Sequence, residues 1–190
     1  MTLIIGVLGR ARHGKSTACE AIAERVKQEG LKTKFFDIGD KVRLYCIENN
    51  LLPKVDRKDM TAEQLKILVD VGKQKRKENK EFWIGPLIED LRASKNIDVA
   101  FFPNIRHKNE ADHVKEEGGY IIGCKRYNED GSLFISPDRP ANDESETGMR
   151  FIIPDYYINT KTGENVLVEK LAVTIFEHIK GEHARRTTTA

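Results

Sequence analysis

The sequence predicts a three-layer α/β fold, in which helices cover both faces of a five-stranded, mainly parallel sheet. Short apolar runs typical of buried strands alternate along the chain with longer segments of helical periodicity. Strands joined by helical crossovers form parallel sheets, because the right-handed connection returns the chain to the same edge. Ligands of such sheets bind at the carboxyl ends of the strands, so we expect the functional site there.

Five segments are predicted to form the strands. Two of them, residues 3–8 and 97–102, are almost continuously apolar, which favours central strands buried on both faces. The three other predicted strands are residues 33–38, 120–124 and 156–159. Helices are predicted for residues 16–28, 40–49, 61–79, 81–94, 108–117 and 164–180.

Length and composition favour one globular domain. The chain has 190 residues, of which 39% are hydrophobic and 33% charged. We expect a single domain over residues 1–182 and a flexible tail over residues 183–190. The formal net charge of +2 is close to neutral, so the overall charge does not demand a polyanionic partner.

Targeting signals and cysteine usage predict a cytoplasmic protein. The first apolar run is too short for a signal peptide, and no segment approaches the ~20 apolar residues that span a bilayer, so no membrane partner is expected. Cys19, Cys46 and Cys124 are far apart and lack the spacing of metal ligands. We therefore expect three buried or half-buried free thiols.

The segment GRARHGKS, from Gly9 to Ser16, fits the phosphate-binding pattern G-x-x-x-x-G-K-[ST], known as the P-loop. It stands between a predicted strand and a predicted helix, which is the context that this loop requires. Lys15 is expected to reach the β- and γ-phosphates, and the Ser16 hydroxyl to hold Mg²⁺. The sequence thus predicts ATP and Mg²⁺ as cofactors, bound by Gly9, Arg10, Ala11, Arg12, His13, Gly14, Lys15, Ser16 and Thr17.

A polar segment, residues 126–150, follows the fourth predicted strand. It is rich in Asp, Pro, Asn and Ser and is too long for a passive connection, so we expect a lid that excludes water. Its arginines Arg126, Arg139 and Arg150 are candidates to neutralise charge on a transferring phosphoryl group. For each arginine taken alone, a solvated surface position is an equally good interpretation.

Charged and polar side chains after the second and third strands are candidates to face an acceptor. Asp37 could orient Mg²⁺ through water, hold a substrate hydroxyl or act as a base. An ordinary helix N-cap is the alternative, above all for Asp40. Arg43 suits an anionic acceptor, and Arg106 suits a bidentate phosphate clamp next to Asn104.

The densest basic run is KQKRKENK, residues 73–80, which contains Arg76. A solvated helix face is one interpretation of it. Binding of an acceptor phosphate or of a nucleic-acid backbone is the other. His13 is expected to contribute spacing and backbone amides, and Trp83 is expected in the core.

The order of these features resembles the phage-type deoxynucleoside monophosphate kinases, within the wider nucleoside monophosphate kinase group. The resemblance spans most of the chain. It rests on Phe36 to Arg43, Val71-Gly72, Lys75-Arg76, Phe82-Trp83, Pro103-Asn104-Ile105-Arg106 with Glu110, Gly123-Cys124-Lys125-Arg126, Asp143-Glu144-Ser145-Glu146, and Pro154 to Asn159. In this chain Asn104 stands where the family has Asp, and Glu144 where it has His. The resemblance implies a P-loop kinase fold with a lid.

Three functions stay open at this point. The resemblance implies transfer of the ATP γ-phosphate to the 5′-phosphate of a deoxynucleotide, in the host cytoplasm if the chain is phage-encoded. Some related phage kinases phosphorylate the hydroxymethyl group of 5-hydroxymethyluracil in DNA, where a base such as Asp37 would help. A nucleotide-gated switch without transfer is the third. For a kinase, Lys15, Asp37 and Arg126 are the candidate catalytic residues, and the acceptor is expected to meet Asp37, Asp40, Arg43, Arg76, Asn104, Arg106 and Arg139.

Overall fold

The computed structural model describes residues 1–137 and 142–188, and its centre is one five-stranded sheet. The strands are β1 (Leu3–Gly9), β2 (Thr33–Phe35), β3 (Val99–Ile105), β4 (Tyr120–Tyr127) and β5 (Tyr156–Lys161). They lie in the order β2-β3-β1-β4-β5, and every neighbouring pair is parallel. The predicted α/β class and five-stranded sheet are therefore confirmed.

The described residues contain seven α-helices. They are α1 (Lys15–Gln28), α2 (Ile38–Glu48), α3 (Ala62–Glu78), α4 (Ile84–Ala93), α5 (Lys108–Glu116), α6 (Glu144–Thr147) and α7 (Asn165–Thr188). Single 3₁₀ turns occur at Arg57–Asp59 and Gly148–Phe151. Across this part of the chain, no helix is both long enough and apolar enough to cross a lipid bilayer.

The chain divides into two compact units, where its length predicted one domain. The first unit comprises Met1–Phe36 and Ser94–Ala190, and it holds the whole sheet with α1, α5, α6 and α7. The second unit, Asp37–Ala93, holds α2, α3 and α4. The predicted P-loop and lid belong to the first unit, whereas four of the predicted acceptor residues belong to the second.

The main core of the first unit lies between the sheet and the helices α1 and α7. Ile5 of β1, Ile22 of α1 and Phe176 of α7 belong to one apolar cluster and are completely buried. On the opposite face of β1, a Cβ atom at Gly6 would lie 3.4 Å from Val114 of α5. Helices therefore cover both faces of the sheet, as the alternation of strands and helices predicts.

The second unit has a smaller core of its own. Val42 and Cys46 of α2, Leu68 of α3 and Trp83 are buried in a separate apolar cluster. The Trp83 ring donates its Nε1–H to the carbonyl oxygen of Gly72 over 3.0 Å. Trp83 is thus a core residue, as expected from the sequence, with its polar atom paired inside.

The predicted tail is helical as far as the structure describes it. Where a flexible segment was expected from residue 183, α7 continues to Thr188. The Tyr156 hydroxyl donates to Glu182, and the Arg186 guanidinium lies 4.8 Å from the centre of the Tyr120 ring. Contacts with the sheet and the good helix propensity of Ala and Arg explain why the helix continues. Residues 189 and 190 lie outside the described residues.

Candidate active site

The loop between β1 and α1 has the tight backbone that a phosphate cradle requires. Gly14, at the N-cap of α1, has φ of 83°, a conformation that favours glycine. A Cβ atom at Gly9 would lie 2.6 Å from the carbonyl oxygen of Cys124, so no larger residue fits there. The Lys15 side chain is buried, and its Nζ donates to the carbonyl oxygen of Arg10 over 2.8 Å. The loop is therefore closed on itself by the lysine.

A cavity of about 210 Å³ opens at the start of α1 and fits the phosphates of a nucleotide. Its lining residues are Arg12, His13, Gly14, Lys15, Ser16, Thr17 and Asn165. The N-cap residue of α1 is Gly14, which has no side chain to bond the first amides, and amides at the start of a helix are suited to bind an anion. Lysine, hydroxyl and amide donors in this cavity match the chemistry of a triphosphate.

The same donor set fits magnesium held together with phosphates. Within the described residues, no group of three or more His, Cys, Asp or Glu side chains could hold a metal by itself. Mg²⁺ in nucleotide sites is usually bound by few protein ligands, by water and by the phosphates. Ser16, as predicted, is the residue of this cavity that would contribute a hydroxyl ligand.

His13 joins the P-loop to two other segments through its ring. The ring is buried, its Nε2 lies 2.9 Å from the carbonyl oxygen of Phe134, and its Nδ1 accepts the backbone N–H of Arg126 over 3.2 Å. Because Nδ1 accepts, the ring is neutral and carries its proton on Nε2. Burial lowers the pKa of His13, with the positive charge of Lys15 adding to the effect. The sequence predicted spacing and amides only, so this bridge is a new role.

Arg126, one of the predicted cofactor-binding residues, lies against the P-loop. Its Nη1 donates to the carbonyl oxygen of Arg12 over 3.2 Å, and its Nε donates to the Thr162 hydroxyl over 3.1 Å. Its guanidinium carbon lies 4.3 Å from the centre of the Phe134 ring. Three contacts from separate segments thus hold this cation beside the phosphate cavity.

The segment predicted as a lid begins as a hairpin that extends β4. Tyr127 pairs with Leu133 in an antiparallel bridge, and the Asn128 N–H donates to the Ser132 carbonyl oxygen over 2.8 Å. Of the other predicted arginines, Arg150 is exposed and donates from Nε to the Thr147 carbonyl oxygen over 3.0 Å. Arg139 lies outside the described residues.

A buried ion pair connects the end of β3 to the P-loop. Arg106 donates from Nη1 to Oε1 of Glu146 over 2.6 Å, and the side chains are only 16% and 5% exposed. The second oxygen of Glu146 accepts the backbone N–H of Ala11 over 3.3 Å. Sequence reasoning did not select Glu146, and its place at the end of the Asp143–Glu146 motif was the one signal for it.

A second buried carboxylate, that of Glu110, holds the backbone around Arg106. This backbone comes directly after a β-bulge in β3. Glu110 accepts the N–H groups of Arg106 and His107 over 2.8 and 3.2 Å. The register between β1 and β3 shifts by one residue just before this point, and Asn104 has φ of 63° there. Asparagine tolerates this left-handed conformation better than most residues, and such bulges often re-aim side chains beside active sites.

The N-cap of α2 is Asp37, whereas the sequence favoured Asp40 for that role. The Asp37 backbone is extended, and its carboxylate accepts the N–H of Gly39 over 2.7 Å. Helix α2 therefore begins at Ile38, two residues earlier than predicted. Asp40 lies in the first turn, with a carboxylate oxygen 3.8 Å from Nε of Arg43.

The basic run of α3 makes local contacts inside the second unit. Arg76 donates from Nη1 to the carbonyl oxygen of Gly72 over 3.3 Å. Lys75 pairs with Glu78 over 2.8 Å and lies 5.7 Å from the centre of the Phe82 ring. Part of the positive charge of this run is thus paired within its own helix.

Comparison with known proteins finds similar solved structures but no matching family model. No curated protein matches the chain. Three solved structures that it resembles are the APS kinase of Mycobacterium tuberculosis (13% identity, 94% of this chain and 97% of that chain, TM-score 0.47), the shikimate kinase of Acinetobacter baumannii (15%, 96% and 95%, 0.48) and the dephospho-CoA kinase of Campylobacter jejuni (18%, 96% and 100%, 0.47). At identities and TM-scores this low, no functional conclusion about this chain follows.

Proposed function

We propose that this chain is a P-loop kinase that transfers the γ-phosphoryl group of ATP to the 5′-phosphate of a deoxynucleoside monophosphate. The observation that carries the proposal is the set of three cations in the first unit. Lys15 and Arg126 contact P-loop carbonyl oxygens, and Arg106 is tied to the P-loop through Glu146. Phosphoryl transfer depends chiefly on positioned phosphates and on cations that neutralise their charge.

Each of these residues has a specific task in such a reaction. When bound, ATP supplies the phosphoryl group and Mg²⁺ neutralises part of the phosphate charge. Lys15, whose Nζ donates to the Arg10 carbonyl oxygen, would bind phosphate oxygens, and the Ser16 hydroxyl would be a ligand of the metal. Arg126, already ordered by Thr162 and Phe134, adds charge with little reorganisation.

A phosphate acceptor also agrees with the contacts of Asp37. Its carboxylate accepts the N–H of Gly39, the task of a helix cap. Oxygens of a phosphate monoester are largely unprotonated at neutral pH, so they attack without a protein base. A hydroxymethyl group in DNA would need one.

Labelled ATP distinguishes the candidate acceptors. We expect label on free deoxynucleoside monophosphates and about a 10²- to 10³-fold loss of kcat/KM in Lys15→Ala. The matched control is Lys27→Ala in the same helix, whose side chain is 80% exposed and which should keep full activity. Unchanged turnover in Lys15→Ala would refute the P-loop assignment.

Two other results would replace the proposed acceptor or the proposed reaction. Label retained on DNA that contains 5-hydroxymethyluracil, with none on mononucleotides, would make the chain a DNA kinase. Tight ATP binding without transfer to either acceptor would make it a nucleotide-gated switch.

A further inference from the structure

A second cavity, of about 290 Å³, lies beside the first residues of the P-loop. Gly9 and Arg10 form its border with the P-loop, and Lys125 of β4 and Tyr157 of β5 line it from the sheet. Its volume is near the lower limit of small-molecule pockets, which begins at roughly 300 Å³. It shares His13 with the phosphate cavity, so the two cavities are neighbours.

One wall of this second cavity is apolar and partly aromatic. Met149 and Ile152 are buried, whereas the Tyr157 residue is 44% exposed. Pro154 and Tyr157 pack over Gly123, where a Cβ atom would lie 2.7 Å from Pro154. An accessible aromatic ring beside an apolar floor is the surface on which a planar base stacks.

The charged residues of the cavity favour an anion. The Arg10 guanidinium and the Lys125 ammonium form no ion pair within the described residues, although Lys125 lies 4.5 Å from the centre of the Tyr157 ring. The buried carboxylate of Glu146 is already engaged by Arg106 and Ala11. A negative group in this cavity would therefore meet Arg10 beside the loop that holds the donor phosphates.

We propose that this cavity is the acceptor site, with the base of a nucleoside monophosphate against Tyr157 and its phosphate towards Arg10. The assignment rests on the proposed function and deepens it. It places acceptor recognition in the first unit, whereas four of the seven acceptor residues predicted from the sequence, Asp37, Asp40, Arg43 and Arg76, belong to the second unit. An aromatic ring and an apolar floor then supply affinity for the base, and one P-loop cation binds the phosphate.

Calorimetry with dTMP, thymidine and ATP tests the acceptor site. Loss of a stacking ring costs about 1–3 kcal/mol per base, so Tyr157→Ala should weaken dTMP binding by about tenfold. Tyr157→Phe keeps the ring and should bind dTMP normally. Phe151→Ala removes an exposed ring nearby that does not line the cavity, and it serves as the matched control. The ATP affinity should stay the same in all three.

The contact between Arg10 and the acceptor phosphate is tested by comparing dTMP with thymidine. Thermal unfolding is used to show that each variant is folded. Arg10→Gln should weaken binding of dTMP but not of thymidine, which lacks the phosphate. Unchanged dTMP affinity in both Tyr157→Ala and Arg10→Gln would overturn the site. A loss of ATP affinity in Tyr157→Ala would make this cavity the adenine pocket of the donor instead.

The experiments give different results if the acceptor-site assignment is wrong and if the proposed kinase reaction is wrong. If label reaches dTMP but Tyr157→Ala leaves its KM unchanged, the kinase stands and the cavity assignment falls. If dTMP binds as expected but receives no label, the cavity assignment stands and the reaction falls. If the wild-type chain binds ATP but neither dTMP nor dGMP, a mononucleotide site in this cavity is refuted.

Discussion

The P-loop region and the second unit hold their charged residues in different ways. In the P-loop region, Glu146 bonds to Ala11, which is 135 residues away along the chain. In the second unit, Asp37 bonds to Gly39, only two residues away. The first kind of contact exists only in the folded chain, whereas the second can form in an isolated helix end.

This difference teaches which part of the candidate site depends on tertiary structure. The ion pair of Arg106 and Glu146 spans 40 residues, so the cation near the P-loop is in place only after β3 and α6 have come together. The pair of Asp40 and Arg43 spans three residues of one helix. We therefore expect substitutions in the first region to act on stability and activity together, and those in the second to act locally.

The largest effect is expected for Glu146→Gln. The substitution leaves the buried guanidinium of Arg106 without a counter-charge, which should lower the free energy of unfolding by about 3 kcal/mol. Urea denaturation of the wild type and the variant measures this loss in the free energy of unfolding. A double-mutant cycle with Arg106→Met should recover part of the loss, because the unpaired charge is then removed as well.

The matched control is Asp40→Asn in the second unit. Its pair with Arg43 is longer, at 3.8 Å, and the Asp40 side chain is 64% exposed. Its loss should change the free energy of unfolding by under about 0.5 kcal/mol. Equal effects of Glu146→Gln and Asp40→Asn would break the comparison between the two regions.

A smaller effect, about 2 kcal/mol, is expected for His13→Ala. The substitution leaves the carbonyl oxygen of Phe134 and the N–H of Arg126 without their partner. Chemical denaturation at neutral pH measures the loss. An unchanged free energy of unfolding would mean that the His13 bridge adds nothing to the fold.

The pH dependence of the free energy of unfolding distinguishes the hydrogen bonds of the His13 ring from its apolar packing. Because burial lowers the pKa of His13, the unfolded chain binds its proton more readily than the native one. The contribution of His13 is fully present above its ordinary pKa of 6.5, and it is lost as the pH falls through the lowered pKa. His13→Ala should flatten this acid loss, whereas the exposed residue His178 changed to Ala should keep it.

The smallest effects concern the cap of α2. Asp37→Ala removes the acceptor of the Gly39 N–H and should lower the free energy of unfolding by about 1 kcal/mol. Asp37→Asn keeps an acceptor and should change it by a few tenths. A large loss of transfer in Asp37→Asn, at unchanged stability, would instead show the catalytic base that the sequence suggested.

The fold was predictable because its signals are local. Continuous apolar runs predicted β1 and β3, and the Gly9–Ser16 motif predicted the loop between β1 and α1. The ends of the helices were harder to predict where tertiary contacts decide them. The extension of α7 to Thr188 combines the local helix propensity of Ala and Arg with packing of its last turns against Tyr120 and Tyr156, and that packing has no local signature.

The candidate site was predictable only where its residues form one motif. Lys15 and Ser16 are recognisable from spacing alone. Glu146 and the bridging role of His13 were missed, because their partners are 40 to 135 residues away in the sequence. A buried carboxylate near a cation has no signature until the strands that carry both are assembled.

Each unit contains at least one buried cysteine whose alkylation would detect local opening of that unit. Cys19 and Cys124 are buried in the first unit and Cys46 in the second, all without disulfide bonds. Burial raises the pKa of Cys124 to about 12, and it also raises that of Cys46. Neutral, enclosed thiols alkylate slowly until their surroundings open. Mass spectrometry of alkylation at each cysteine would therefore show whether the two units open locally at the same rate or at different rates.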